Sequence, residues 1–199
     1  MAFWQEEMII GLASKSPRRQ QLLKESKFKF VLLPNEMEEV YPSSLMPHQV
    51  PAFLAEKKAL QVEFEPSRFQ VILAADVVVI KDGHVLGKPI DKNEAAAMLF
   101  SLQGAWHSVI TGVTLRSNRF LKTFSVKTEV EIGAMSEEEI FFYVDRCFPL
   151  DKAGAYGIQE WIGHCKVKTI QGSYTNVMGL PMYEVYEHLL AFHLHNNTP

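Results

Sequence analysis

A helix opens here on two cations where acidic residues are the rule. Ser14-Lys15-Ser16-Pro17-Arg18-Arg19 follows a short apolar run, with Ser16 in the N-cap position and Pro17 at the first helical one. A helix N-terminus already carries free N–H groups and a partial positive charge. Arg18 and Arg19 in that first turn are therefore locally unfavourable unless an anion joins them. Phosphate suits the place best, because backbone N–H groups, guanidinium forks and the hydroxyls of Ser14 and Ser16 would all donate to it. On this segment alone, a capped helix with solvated arginines is the equal alternative.

The second chemical signal is one carboxylate in an apolar run. Asp76 interrupts Val-Ile-Leu-Ala-Ala-Asp-Val-Val-Val-Ile, and a lone charge there is costly to bury. It calls for a Lys, an Arg or a metal as partner, and desolvation would make it a candidate general base. A structural ion pair is the other reading. Further charges are scattered: Glu36 with Glu38 and Glu39, the pair Lys57-Lys58, and Lys88 in Gly-Lys-Pro. Hard carboxylate oxygens such as Glu36 suit Mg²⁺ or Mn²⁺ carried in on substrate phosphates, although an acidic run is also an ordinary solvated loop. Lys57 and Lys58 are adjacent on a helix, so only one of them faces a given cleft. Finally, Asp151-Lys-Ala-Gly-Ala-Tyr-Gly-Ile-Gln159 combines glycines, an aromatic ring and an amide that both donates and accepts, as reading a base edge requires. Gly172–Asn176 has a similar composition and could close the same cleft. His107 could touch phosphate or that loop, or be a satisfied structural histidine.

Other chemistries find no support. The chain has no Walker A, GxGxxG, HExxH or GxSxG pattern and no four-ligand zinc spacing. Lys and Arg total 20 against 23 Asp and Glu, a net charge of −3, which argues against a nucleic-acid binder. No apolar run approaches the roughly 20 residues of a membrane span, and the start lacks the basic region of a signal peptide. Cys147 and Cys165 are too few for a disulfide framework and read as small buried side chains in a reducing cytoplasm.

The elements that must position these residues follow from pattern. Met8–Ala13 and Phe28–Leu33 read as strands and Pro17 to about Ser26 as a helix between them, with a second helix over Val50–Phe64. Val71–Ile80 reads as a buried strand, turned at Asp82-Gly83 into His84–Leu86. Asp91 with Glu94, and Ser136 with Glu139, begin helices reaching about Leu102 and Arg146. Trp106–Leu115, the alternating stretch Phe124–Ile132 and Ile162–Ile170 read as strands, Asp151–Gln159 and Gly172–Gly179 as loops, and Pro181 opens a last helix. Strands and helices alternate while hairpins intrude, which predicts an α/β fold on a mixed sheet. With 199 residues, one domain is expected.

Together these segments resemble the Maf family of nucleoside triphosphate pyrophosphatases. The resemblance runs from Leu12 to about Leu190. It is carried by Leu-Ala-Ser-Lys-Ser-Pro-Arg-Arg19, Ala-Asp76, Leu-Gly-Lys88-Pro, Gly-Ala-Trp-His107 with Thr-Gly-Val113, and Gly-Ser-Tyr174 before Val-Met-Gly-Leu-Pro181. The Asp151–Gln159 segment looks like the branch acting on dTTP and UTP. The resemblance implies one two-lobed α/β domain over residues 1–199, with a twisted mixed sheet flanked by helices, similar to the inosine triphosphatase architecture. It also implies a cytoplasmic enzyme, no nucleic-acid or membrane partner, often a homodimer, and a divalent metal (Mg or Mn). By the same resemblance Asp76 is the proton acceptor, Ser14, Arg18, Arg19, Lys58 and Lys88 hold the triphosphate, and Arg18, Val77 and Gln159 set substrate preference. Glu36 and Asp76 are expected beside the metal. Two positions depart from the branch pattern: Val77 stands where Thr is usual and Glu160 where Gly is usual. The alternatives are the same hydrolysis on a modified purine triphosphate, a non-catalytic nucleotide-binding regulator of cell division, or a phosphomonoesterase acting on a phosphosugar.

Overall fold

The apolar runs become strands and the capped amphipathic stretches become helices, as their periods require. The computed structural model describes residues 4–33 and 37–197. Its strands are β1 (Ile9–Leu12), β2 (Lys29–Leu32), β3 (Val71–Lys81), β4 (His84–Leu86), β5 (Trp106–Arg116), β6 (Leu121–Ile132) and β7 (Val167–Gln171). Its helices are α1 (Trp4–Glu7), α2 (Pro17–Glu25), α3 (Val50–Gln61), α4 (Lys92–Leu102), α5 (Glu137–Cys147), α6 (Trp161–Cys165), α7 (Tyr174–Met178) and α8 (Met182–Asn197). The seven strands form one mixed sheet in the order β2-β1-β3-β5-β6-β7, with β4 also paired to β3. β2, β1 and β3 are parallel and joined by crossovers, whereas β5, β6 and β7 follow as an antiparallel meander. This is the expected α/β architecture.

Strand β3 organises the molecule. All but its two end residues pair with β5 on one edge, from Ile72 opposite Arg116 to Ile80 opposite Ser108. Its other edge is shared: β1 pairs with Val71–Leu73 and β4 with Val79–Lys81. Between them, over residues 74–78, no strand covers that edge among the described residues. Asp76 sits in the middle of the gap. The two faces of β3 pack differently, because side chains alternate along a strand. Val71, Leu73, Ala75 and Val79 join the main core, with side chains from α2, α4, α5 and α8. Ile72, Ala74 and Val78 face α3 through Ala59, Val50 and Leu54. Asp76 shares that second face by parity, so it looks toward α3.

A glycine lets α3 come close enough. Gly112 on β5 lies directly across from Asp76, and a Cβ there would stand 2.3 Å from the backbone of Pro51 and Ala52. The first turn of α3 therefore rests on the bare backbone of β5 beside the carboxylate.

Local signals were mostly legible. The Asp91 and Ser136 side chains accept from the N–H groups of Glu94 and Glu139 at 2.8 and 3.2 Å. Asp82 and Gly83 both take positive φ, 50° and 79°, as the hairpin requires. Four expectations need correction. Ile162–Ile170 is not one strand: Trp161–Cys165 is a helical turn and only Val167–Gln171 is strand. The region 172–179 is not all loop, since Ser173 caps α7 by accepting from Asn176 N–H at 3.2 Å and Gly179 ends it in the left-handed region. A five-residue helix is too short to show a 3.6 period. The cysteines are not both buried: Cys165 is exposed and Cys147 half-buried, and both are free thiols. The α3 helix also stops at Gln61, short of Phe64.

Candidate active site

The β3 gap opens into a cleft of about 540 Å³, within the ~300–1,000 Å³ usual for small-molecule sites. Its cations are Lys15, Arg18, Arg19, Lys58 and Lys88, and its carboxylates are Glu39, Asp76 and Asp151. The chain as a whole is net negative, yet this cleft concentrates positive charge. Such a concave cationic surface focuses field on an anionic ligand.

Each side chain has a positional cause. Lys58 belongs to the buried stripe of α3, with Val50, Leu54 and Ala55, so it points to the sheet. Its Nζ donates to Asp76 Oδ1 in a short bond and to Glu39 Oε1 at 3.0 Å. Lys57, one residue earlier, is turned aside and donates to the Val40 carbonyl at 3.2 Å. Helix phase thus selects Lys58 for the cleft. Lys88, just beyond the β3–β4 hairpin, donates to both Glu39 oxygens at 3.1 Å. Glu39 is the residue that reading the sequence missed: it was one of an acidic run, and only the fold sets it between two lysines. Glu36 lies outside the described residues.

The turn from β1 into α2 supplies the other wall. Ser16 occupies the N-cap but its side chain makes no cap bond, and the first turn holds no acidic residue. The Ser14 hydroxyl accepts from Ser16 N–H at 3.2 Å and from Arg19 Nη1 at 3.0 Å. Arg19 is buried, and its Nε donates to the Gly179 carbonyl at 2.8 Å. Arg19 is thus a fixed charge held by α7, the helix that pattern reading took for loop. Arg18, by contrast, is turned into the cleft. It reaches Asp151 Oδ2 at 2.9 Å across the cleft, so the protein itself supplies an anion to the crowded first turn.

Electrostatics sort the carboxylates. Burial pushes the Asp76 pKa up, and the charges of Lys58 and Arg19 only partly oppose it. Burial also raises Glu39, but Lys58 and Lys88 together outweigh it, so that carboxyl lies below its ordinary value. One poised acid beside one firmly ionised acid is the arrangement general base chemistry uses.

The Asp151–Gln159 segment flanks the cleft. A second, narrow cavity of about 20 Å³ lies between Arg18, Val77, Tyr156 and Gln159. Val77 borders both cavities. The Gln159 Oε1 is buried with no hydrogen-bond partner among the described residues, which leaves an acceptor for a ligand. Tyr156 is held by His107, whose Nε2 lies 2.7 Å from the phenol oxygen. Burial lowers the His107 pKa to about 4, so this histidine is neutral and supports the loop rather than binding phosphate.

No group of three or more His, Cys, Asp or Glu side chains converges among the described residues. An all-protein metal cage is absent from them. Asp76 and Glu39, both within reach of Lys58 Nζ, are instead two hard oxygen donors on the cationic wall of the cleft. That donor set fits a cation that keeps its waters and arrives on phosphates.

Comparison with known proteins identifies the family. A match to the family described as Maf-like protein covers residues 9–192. A dTTP/UTP pyrophosphatase of Bacteroides fragilis is 42% identical over 182 residues, 90% of this chain and 94% of the relative. Proteins of the same name from Phocaeicola vulgatus and Thermosipho africanus are each 44% identical, over 92% and 90% of this chain and 96% and 91% of theirs. Among solved structures, the Ham1 protein of Staphylococcus aureus matches at 14% identity with a TM-score of 0.49, over 92% of this chain and 98% of that one. With nearly its whole length inside the family match, this chain belongs to the Maf family.

Proposed function

We propose that this chain hydrolyses the α–β phosphoanhydride of dTTP and UTP, releasing the nucleoside monophosphate and pyrophosphate. The observation that carries the reading is Asp76, a buried carboxylate at an uncovered strand edge, facing a cleft lined by cations. The names of the relatives point to the same two substrates.

The residues divide the work by position. Arg18, Lys88 and the open N-terminus of α2 bind the triphosphate oxygens, with the Ser14 hydroxyl and Lys15 close by. Arg19 and Lys58 are already fixed by their own hydrogen bonds, and so offer positive charge without reorganisation as negative charge shifts to the leaving group. Asp76 orients the attacking water and takes its proton. The raised pKa of that carboxyl suits the task, since a base is most effective when its pKa approaches the working pH. Binding of phosphate to Arg18 displaces Asp151, which stays compensated by Lys152 at 2.7 Å. Gln159 presents its free acceptor to the pyrimidine edge, and Val77 touches base or sugar through methyl groups alone. Asp76 and Glu39 would hold Mg²⁺ or Mn²⁺, with Glu36 in the adjoining segment. When bound, that cation neutralises phosphate charge.

The assembly of one site from β1–α2, α3, β3, the hairpin and the 151–159 loop supports reading residues 1–199 as one two-lobed catalytic domain. Among the described residues no helix is long and apolar enough to cross a membrane. We take the setting to be the cytoplasm, where the nucleotide pool lies, and the assembly to be a homodimer, without nucleic-acid or membrane partners. The deciding experiment is a panel of nucleoside triphosphates with Mg²⁺ or Mn²⁺, scoring pyrophosphate separately from orthophosphate. Pyrophosphate from dTTP and UTP, abolished by chelator, is the expected result. Release from purines alone moves the substrate assignment, and nucleotide binding without turnover makes the chain a regulator.

A further inference from the structure

One helix is apolar on both sides. The inner stripe of α5 is Ile140, Tyr143 and Val144, all buried. On a helix packed from one side only, the opposite stripe is ordinarily charged or polar. Here that outer side carries Phe141 and Phe142, 43% and 48% exposed. Neighbouring elements extend the patch. Phe100 of α4 meets Phe141 edge to face, with ring centroids 6.3 Å apart, and Trp161 of α6 meets Phe142 in the same way at 5.5 Å. Phe148, exposed just beyond the end of α5, lies under the Lys92 ammonium at 5.0 Å. None of these rings borders either cavity described above, so the hydrolytic site gives no reason for them.

The size of the patch and the charges around it point to what covers it. Phe100, Phe141, Phe142 and Phe148 are 42–61% exposed. At about 200 Å² for each aromatic side chain, they offer on the order of 400 Å² of apolar surface. A lone soluble protein rarely leaves a contiguous patch larger than a few hundred Å² uncovered. A stable interface takes about 800 Å² from each partner, a little over half of it apolar, which is what this face supplies. Its charges are self-complementary. Glu137 and Glu138 are exposed at the start of α5 and Arg146 near its end, about 12 Å further along, with Phe141 and Phe142 between them. Asp145, beside Arg146, is neutralised by Lys92 at 2.8 Å. Two such helices laid antiparallel set the acidic end of each against the arginine of the other and oppose their dipoles. A two-fold axis makes both pairings at once. The sheet edges compete poorly: β2 and β7 end the strand order, and each carries a lysine, Lys29 and Lys168, which discourages edge-to-edge pairing.

We infer that the outer face of α4, α5 and α6 is the surface on which two copies of this chain meet, antiparallel along α5 about a two-fold axis near Phe141 and Phe142. This gives a surface to the homodimer named above and rests on that reading, not on the hydrolysis of any nucleotide. No residue of the pairing lines the cleft, so each copy carries a whole site.

The test measures molar mass by sedimentation velocity across micromolar concentrations, with circular dichroism as the check on folding. Wild type is expected at twice the mass of one chain. Phe142→Glu buries a charge in the centre of the pairing and should raise the dimer Kd at least about thirtyfold, the scale of an interface hot spot. Arg146→Glu and Glu138→Arg each set like charges against each other in their own dimers, and each should dissociate more readily alone. An equimolar mixture of the two restores opposite charges at both ends and should recover the dimer. These two positions are exposed, so they still read the interface if Phe142→Glu does not fold. A dimeric wild type whose Kd is unmoved by Phe142→Glu overturns this face alone. Charge variants that fail to recover on mixing overturn the antiparallel arrangement. A monomeric wild type overturns the homodimer and this inference with it. Pyrophosphate release, scored separately, decides the hydrolytic reading in every case.

Discussion

Replacing Lys58 with Met leaves the Asp76 carboxylate buried with its nearest counter-charge removed, and the consequences can be worked through. Lys58 and Asp76 are 8% and 6% exposed, so solvent screens the loss poorly. Removing one partner of a buried ion pair costs about 3–5 kcal/mol. For a chain of this length each kcal/mol moves the melting temperature by about 2–4 °C, so Tm falls by roughly 6–20 °C. The loss depends on pH, with a definite sign. Burial already raises the Asp76 pKa, and Lys58 is the largest influence opposing it. Its removal raises that pKa further, so the folded state keeps the proton to higher pH than the unfolded chain does. Stability then declines as pH rises from the ordinary carboxylate range through the raised folded-state pKa. Thermal unfolding followed by circular dichroism, near pH 5 and near pH 8, measures this directly, with the larger deficit expected near pH 8. Adding Asp76→Asn to Lys58→Met removes the remaining charge and recovers most of the loss, because no ion is left unpaired. A deficit below about 2 °C at both pH values, or one that is larger in acid, refutes the reasoning.

Four other outcomes follow from the same geometry. Asp76→Asn should still bind nucleotide, while turnover falls by about 10²–10⁴, the usual worth of a general base; wild-type turnover removes Asp76 from that role. Arg18→Ala should raise KM for triphosphate far more than it lowers kcat, and unchanged steady-state kinetics exclude it from the binding wall. Val77→Thr places a hydroxyl between the two cavities and should change the ratio of dTTP to UTP hydrolysis, which competition assays read; a constant ratio makes the position silent. Gly112→Ala drives a methyl group into the backbone of Pro51 and Ala52 and should cost at least about 3 kcal/mol, visible as a lowered urea midpoint; a neutral effect means α3 does not rest on β5 as described.

Legibility differed by length scale. The helix starting at Pro17, the buried strand around Asp76, the hairpin at Asp82-Gly83 and the capped helices after Asp91 and Ser136 were readable because their signals are local. The α6 and α7 turns were not, being shorter than the period that identifies a helix. The loss mattered, since α7 supplies the Gly179 carbonyl that fixes Arg19. Lys58 could be narrowed only to a pair, because the choice between Lys57 and Lys58 depends on which face of α3 meets the sheet. Glu39 and Asp151 stood in plain view as acidic residues. Nothing in their neighbours along the chain says that one meets Lys58 and Lys88, or that the other holds Arg18.

The sequence alone determined the chemistry on offer: cations at a helix start, a carboxylate in an apolar strand, an amide on a glycine-containing loop, and the α/β alternation that carries them. These are properties of residue type and of spacing within one element, where the period of the backbone converts position into direction. Only the tertiary structure decided which charges meet. The pairings of Asp76 with Lys58, Glu39 with Lys88, and Arg18 with Asp151 span 18, 49 and 133 residues. Contacts at such separations are set by how helices cross the sheet and where strand pairing stops. The uncovered edge of β3 between β1 and β4 belongs to that level, and it is the feature that turns a buried aspartate into one facing a cleft.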